Sequence, residues 1–271
     1  MKKALLRIFI TISILFLSSL ACGLPQSSGN TNQPLESSQP DATRAPAEGM
    51  PSEAAPQPIA SDEPQGTQPN AYYEGISFYY DPALAQNVTA LTIPASAPVS
   101  DDMPPFEVNP TIYQFTFQGY VLNDKTHTPA IDIYPLQEYK NLDPDNVNTV
   151  VESLQKLLSN RPTTSSGALP FLPIWNAAQV FHAQLKYIHF QNGEGVRYLS
   201  QGAQAASPVN NQDMFYTFQG ITTDGAYYVS AILPVSNAML PADYESGMAG
   251  RDYIEFSDNY LSYISDIQNQ L

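Results

Sequence analysis

From residue 73 onward, the apolar and polar positions of the chain repeat with two periods, and each predicts an element. Alternation runs through Phe115-Thr116-Phe117-Gln118-Gly119, turns at Asn123-Asp124 and returns from Ile131 as a second apolar strand that stops at proline. Further on, Tyr216-Thr217-Phe218-Gln219-Gly220 passes Asp224-Gly225 and returns from Ala231 to Val235. The two stretches echo each other, and each precedes a helical segment. This predicts an internal duplication of a strand, hairpin, strand and helix unit, with two unrelated hairpins as the alternative. Val180–Phe190 and Val196–Gln201 flank Asn192-Gly193, a strong hairpin signal, and with the second echo they predict a four-stranded antiparallel meander. In the first of these strands, Phe181, Ala183, Leu185 and Tyr187 are expected on one face, with His182, Gln184 and Lys186 on the other.

Helical spacing appears twice. Val147, Val150, Val151, Leu154, Leu157 and Leu158 share one face behind an N-cap at Asp143-Pro144, and Asn160-Arg161-Pro162 stops the helix. The second helix is expected from about Asp252, where Ile254, Tyr260, Leu261, Ile264, Ile267 and Leu271 form a stripe that packs on the sheet. Near the start, Tyr73–Pro82 and Val88–Ile93 supply strand residues, and the five prolines between Pro94 and Pro110 predict a long loop. Pro170 and Pro173 interrupt the apolar run Leu169–Trp175, so it is neither a helix nor a central strand. It is expected to close an open end of the sheet or to line a groove. The fold class is α+β, an antiparallel sheet or sheets with two main helices packed on it.

The first 70 residues follow neither period. Lys2, Lys3 and Arg7 precede an apolar stretch from Ile8 to Leu17, and Leu17-Ser18-Ser19-Leu20-Ala21 leads to Cys22, the only cysteine of the 271 residues. A basic start, a short apolar core and small residues make a secretory signal too short to be a comfortable membrane span. The cysteine at its end resembles the lipobox of bacterial lipoproteins, with Ser19 where that family usually has leucine. The resemblance implies cleavage after residue 21, diacylglyceryl and further acyl chains (palmitate among them) on Cys22, and an extracytoplasmic protein anchored to a cell membrane. From Gly23 to Asn70 there is no Phe, Tyr or Trp, and Pro, Ser, Gln, Ala and Asn dominate. Such a chain buries too little apolar surface to offset its conformational entropy, so residues 22–70 are expected to be a lipidated, disordered tether. Fully extended, it would reach roughly 160 Å.

Nearly all of the 17 tyrosines and 12 phenylalanines follow residue 70, and residues 71–271 are expected to form a single domain. Its opening, Glu74-Gly75-Ile76-Ser77-Phe78-Tyr79-Tyr80-Asp81-Pro82, and its closing strand and helix are faintly similar to the PsbP and Mog1 type of α/β/α sandwich. These residues carry 20 acidic and 7 basic side chains, a net of −13, so nucleic acid is not an expected partner.

Candidate chemistry is sparse. His182 and His189, seven apart in a strand, fall on opposite faces unless a bulge intervenes, and His127 lies in a turn, so no shared metal site is expected. Asp143, Asp145 and Asn146 lack the glycine and distal glutamate of a calcium loop and are read as helix capping. Ser165-Ser166-Gly167 lacks the elbow of a serine hydrolase, and Asn192-Gly193-Glu194-Gly195 joins two strands as a turn, not a phosphate cradle. No cofactor is expected. The sequence therefore predicts a non-catalytic domain that binds a protein or a small-molecule or glycan ligand, with tyrosine as a recognition side chain. The alternatives are a tethered envelope hydrolase using carboxylates and a structural or assembly component of the envelope.

Overall fold

The computed structural model describes residues 68–96 and 104–271. The signal segment, Cys22, the tether as far as residue 67 and part of the proline-rich loop lie outside them. Strands β1 (Ala71–Tyr73) and β2 (Ile76–Phe78) form a small hairpin, whose turn residues Glu74 and Gly75 both hold positive φ, 48° and 78°. Two such residues match the natural twist of the strands they join. Asn70 is tied to this hairpin, its amide donating to Tyr80 O at 2.8 Å and accepting from Tyr80 N–H at 2.9 Å.

The main sheet has seven strands: β3 (Asn87–Ile93), β4 (Ile112–Gln118), β5 (Ala130–Pro135), β6 (Ala178–Phe190), β7 (Gly193–Ala203), β8 (Phe215–Thr222) and β9 (Tyr227–Pro234). They lie side by side as β3-β4-β5-β9-β8-β7-β6, every pair antiparallel. The meander β6 to β9 is as the alternation predicts, and it joins the first hairpin through β5 and β9. Among the described residues five α-helices accompany the sheet: α1 (Leu136–Leu142), α2 (Pro144–Asn160), α3 (Tyr244–Met248), α4 (Tyr253–Asp258) and α5 (Tyr260–Gln270). The domain is α+β.

Helix α2 covers one face of the sheet. Its N-cap Asp143 accepts from Asn146 N–H, Pro144 stands in the first turn, and Val147, Val151, Leu154 and Leu158 turn inward onto Val196, Tyr198 and Tyr228. The helix ends where Arg161 adopts φ 42°, a left-handed cap that Pro162 follows. Helix α5 covers the other face, with Ile264 and Ile267 against Phe181, Ala183 and Leu199.

The strand returning from Ile131 stops at its proline, Pro135, as the pattern predicts, and a helix the pattern did not predict, α1, begins at Leu136. Three sequence expectations are corrected. The loop of the β6–β7 hairpin is Gln191-Asn192, so Gly193 opens β7 instead of sitting in the turn. The C-terminal helix breaks at Asn259, whose side-chain amide donates to Glu255 O at 2.8 Å and competes with the helical ladder. That break turns Ile254 (66 % exposed) and Leu261 (85 % exposed) out to solvent and puts Phe256 and Tyr263 in their place. The third lies in β6. Its register shifts between Ala183 and Lys186, where Gln184 holds φ 55°, and this bulge reverses the alternation. Phe181 and Ala183 face α5, whereas Leu185 and Tyr187 face α2.

Candidate functional site

The apolar segment Leu169–Trp175 runs as a strap over the α2 face of the sheet, not across an open end. Its prolines deny it a regular ladder, so its backbone polar groups need other partners. The sheet supplies them strand by strand. Leu169 N–H donates to Gln179 Oε1 of β6 at 2.8 Å, and Tyr198 OH of β7 donates to Pro170 O at 2.8 Å. Leu172 N–H donates to Gln219 Oε1 of β8 at 2.9 Å, and Ser230 Oγ of β9 donates to Leu172 O at 2.7 Å. Leu172 is fully buried.

Gln219 is the hub of this arrangement. Its Nε2 donates to Thr217 Oγ1 at 2.8 Å and to Ser230 Oγ at 2.9 Å, while Tyr228 OH donates to its Oε1 at 2.8 Å. Burial pushes the Tyr228 and Tyr198 phenols well above their usual range, so both stay protonated donors. Tyr139, also buried, has its phenol pushed up to about 12 by the same cause; its hydroxyl lies beside the Ile174 backbone without a hydrogen bond of good geometry.

Between the strap and α2 lies a cleft of about 300 Å³. Val150 and Ser153 of the helix, Phe171 and Trp175 of the strap, and Gln201 and Phe215 of the sheet are among the residues that line it. None of its lining residues is charged. Most of its polar side chains are engaged elsewhere: Gln179 holds Leu169, Gln201 accepts from Asn210 N–H at 3.0 Å and donates to Pro208 O at 3.1 Å, Ser200 donates to Phe181 O, and Thr149 donates to Asp145 O. An amphiphile's apolar body fits this lining better than a charged group does. Gly202 lets Trp175 lie close to β7, since a Cβ there would meet the indole at 3.2 Å.

Trp175 is fixed by aromatic neighbours. His127 stacks on it with ring centroids 5.1 Å apart and planes at 9°, and Phe171 meets it edge-on at 4.6 Å. The loop bearing His127 is held by Thr126 N–H donating to Gln212 O at 3.0 Å and by Lys125 Nζ donating to Val235 O at 3.1 Å. Burial holds the His127 imidazole below its usual range, against the opposing charge of Asp213. The unfolded chain takes up this proton first, so the stability His127 contributes is complete above its unfolded value, near 6.5, and is lost as pH falls towards the lower folded value. Denaturation midpoints from pH 7.5 down to pH 5 are expected to fall more steeply for the wild type than for His127→Phe; equal slopes would remove this assignment.

The other sequence candidates fall in several places. Cys22 lies outside the described residues. The bulge in β6 overturns the opposite-face placement of His182 and His189: His182 pairs across from Ser200 and His189 from Glu194, both on the α2 side. They still stand seven residues apart, roughly 20 Å along a strand. His182 Nε2 lies 3.1 Å from Ser165 O, and His189 Nε2 lies 3.1 Å from Arg161, which bonds Glu194 at 2.8 Å. Among the described residues no group of three or more His, Cys, Asp and Glu is placed to hold a metal ion. The carboxyl of Asp132 is raised by burial, and its oxygens accept from Gln114 at 3.0 Å and Tyr134 at 3.3 Å. Sequence reasoning missed Gln219, Ser230 and Tyr198 as the strap's anchors. The one available signal was the Phe-Gln-Gly echo, and its other glutamine, Gln118, bonds the exposed Thr89 instead.

The chain matches no protein-family model, and it shows no significant similarity to a curated protein or to a solved structure.

Proposed function

We propose that this chain is an extracytoplasmic lipoprotein, held on a membrane by lipid on Cys22, whose domain binds a small, uncharged and largely apolar ligand between α2 and the strap without transforming it. The observation that carries the binding half is the 300 Å³ cleft with no charged residue in its lining. The strap that walls it is held by hydrogen bonds from Gln219, Ser230 and Tyr198, which supports a shape built before a ligand arrives. The anchoring half is supported by the signal-like start and the cysteine that ends it. The net charge of the domain supports a partner other than nucleic acid. Helices on both faces of the sheet support the likeness to the PsbP and Mog1 type of sandwich. The matched faces of Thr116 and Thr217, both on the α2 side, support a duplication confined to the two hairpins, since α2 and α5 lie on opposite faces.

The test uses Trp175, the only tryptophan of the chain, as reporter. Titration with n-octanol is expected to change its emission saturably and to raise the unfolding midpoint; a ligand at a hundred times its dissociation constant adds about 2.7 kcal/mol. Octanoate, whose charge finds no partner in the lining, is expected to bind at least about tenfold more weakly. No saturable change with octanol, or equal binding of octanoate, would reject the cleft as the binding site.

A further inference from the structure

The two edges of the seven-stranded sheet are built differently. At one end, β6 carries two register shifts, the left-handed Gln184 and Lys186, and its Gln184 amide donates to Leu271 O of the C-terminal helix. Bulges, a lysine and a covering segment are the ordinary means by which a sheet edge is closed to further strands. At the other end, β3 has no register shift and no lysine; the hydroxyl of Tyr73 in the β1–β2 hairpin lies 2.9 Å from Thr92 Oγ1, and among the described residues no segment runs along its outer edge. Its seven residues, Asn87-Val88-Thr89-Ala90-Leu91-Thr92-Ile93, include no charge, proline or glycine in a chain of net charge −15, and they pair with β4 in unbroken register from Asn87↔Gln118 to Ile93↔Ile112. Among the described residues nothing pairs with its outer edge, and Leu91 is 48 % exposed there.

We propose that β3 is an interface with a second copy of this chain, the two β3 strands pairing antiparallel about Ala90. The sequence is suited to its own reverse. A two-fold axis through Ala90 sets alanine against alanine, Val88 against the partner's Thr92, Thr89 against the partner's Leu91 and Asn87 against the partner's Ile93. No charge meets a like charge, and each exposed Leu91 packs across the partner's Thr89. The contact is isologous and closes after two copies. An antiparallel two-fold stands perpendicular to the sheet and keeps its faces, so both β1–β2 hairpins, which pack Phe78 on Phe115 of β4, lie on the same side. Both chains then enter their domains from that side, which suits two anchors in one membrane; this last point rests on the anchoring proposed above, and the pairing does not. One strand pair buries less than the roughly 1,000 Å² of a stable interface, so the dimer is weak in solution and is favoured where anchored copies are concentrated.

The experiment uses the chain from residue 22 with Cys22→Ser, which leaves no thiol and no lipid to associate through. Sedimentation equilibrium up to about 1 mM, where contacts as weak as that limit are half formed, is expected to show the mass rising towards twofold. Leu91→Lys, at an exposed position, is expected to keep the same unfolding midpoint and remain at the mass of one chain. Ala90→Cys brings two thiols face to face and is expected to cross-link copies under mild oxidation, whereas two copies of Thr89→Cys, on the diagonal about 7 Å apart, do not. A single-chain mass over the whole range, a dimer that survives Leu91→Lys, or equal cross-linking at both positions would overturn the proposal.

Discussion

Gln219→Ala is expected to lower the stability of the domain by about 3–5 kcal/mol, a large share of the 5–15 kcal/mol typical of a folded domain. The substitution removes the acceptor shared by Leu172 N–H and Tyr228 OH, and both residues are fully buried. Each orphaned donor costs about 1–3 kcal/mol, and Thr217 and Ser230 lose their donor as well. Tyr228→Phe takes away one of these bonds and leaves Leu172 held, so it is expected to cost only about 0.5–1.5 kcal/mol. Urea denaturation measures both. The emission of Trp175, which rides on the strap, is expected to shift to the red in Gln219→Ala before the domain unfolds. If the two variants are equally stable, Gln219 is not the hub of the strap.

Cys22→Ser is expected to abolish lipid attachment. Cells given labelled palmitate are expected to incorporate it into the wild-type chain and to incorporate none into the variant. Each buried methylene of an acyl chain contributes about 0.8 kcal/mol, and two or more chains turn the reversible binding of a single chain into a stable anchor. The wild type is therefore expected in the detergent-extracted membrane fraction with acyl mass on its N-terminal peptide. Wild-type protein without that mass, or a variant labelled as strongly as the wild type, would defeat the anchoring half of the proposed function.

The elements that sequence made legible are those whose cause is local. The helix behind Asp143-Pro144 begins and ends where its cap and its proline require, because capping is settled within a few residues. The meander from β6 to β9 follows from alternation and short turns, as at Asp224-Gly225, where Asp224 accepts from Ala226 N–H and Gly225 holds φ 69°. The sequence also showed that Leu169–Trp175 is no regular element, which left its carbonyls and amides to be satisfied from a distance. Where expectation failed, a local exception defeated a periodic rule: Gln184 entered the left-handed region and reversed the faces of β6, and Asn259 bonded back to Glu255 and broke the last helix.

Composition and periodicity by themselves determined the class of the domain, its acidic character and the strands and helices that spacing dictates, and the resemblance of its start to a lipobox implied an anchor at Cys22. Only the tertiary structure decided that the strap crosses the middle of a face, that Gln219 and Gln118 have different fates, and that one sheet edge is closed while, among the described residues, nothing pairs with the outer edge of β3. The physical reason is range. A cap, a turn or an alternation acts through neighbours in sequence, whereas the bond from Leu172 to Gln219 joins groups 47 residues apart, and an edge is defined by which strand fails to arrive beside it.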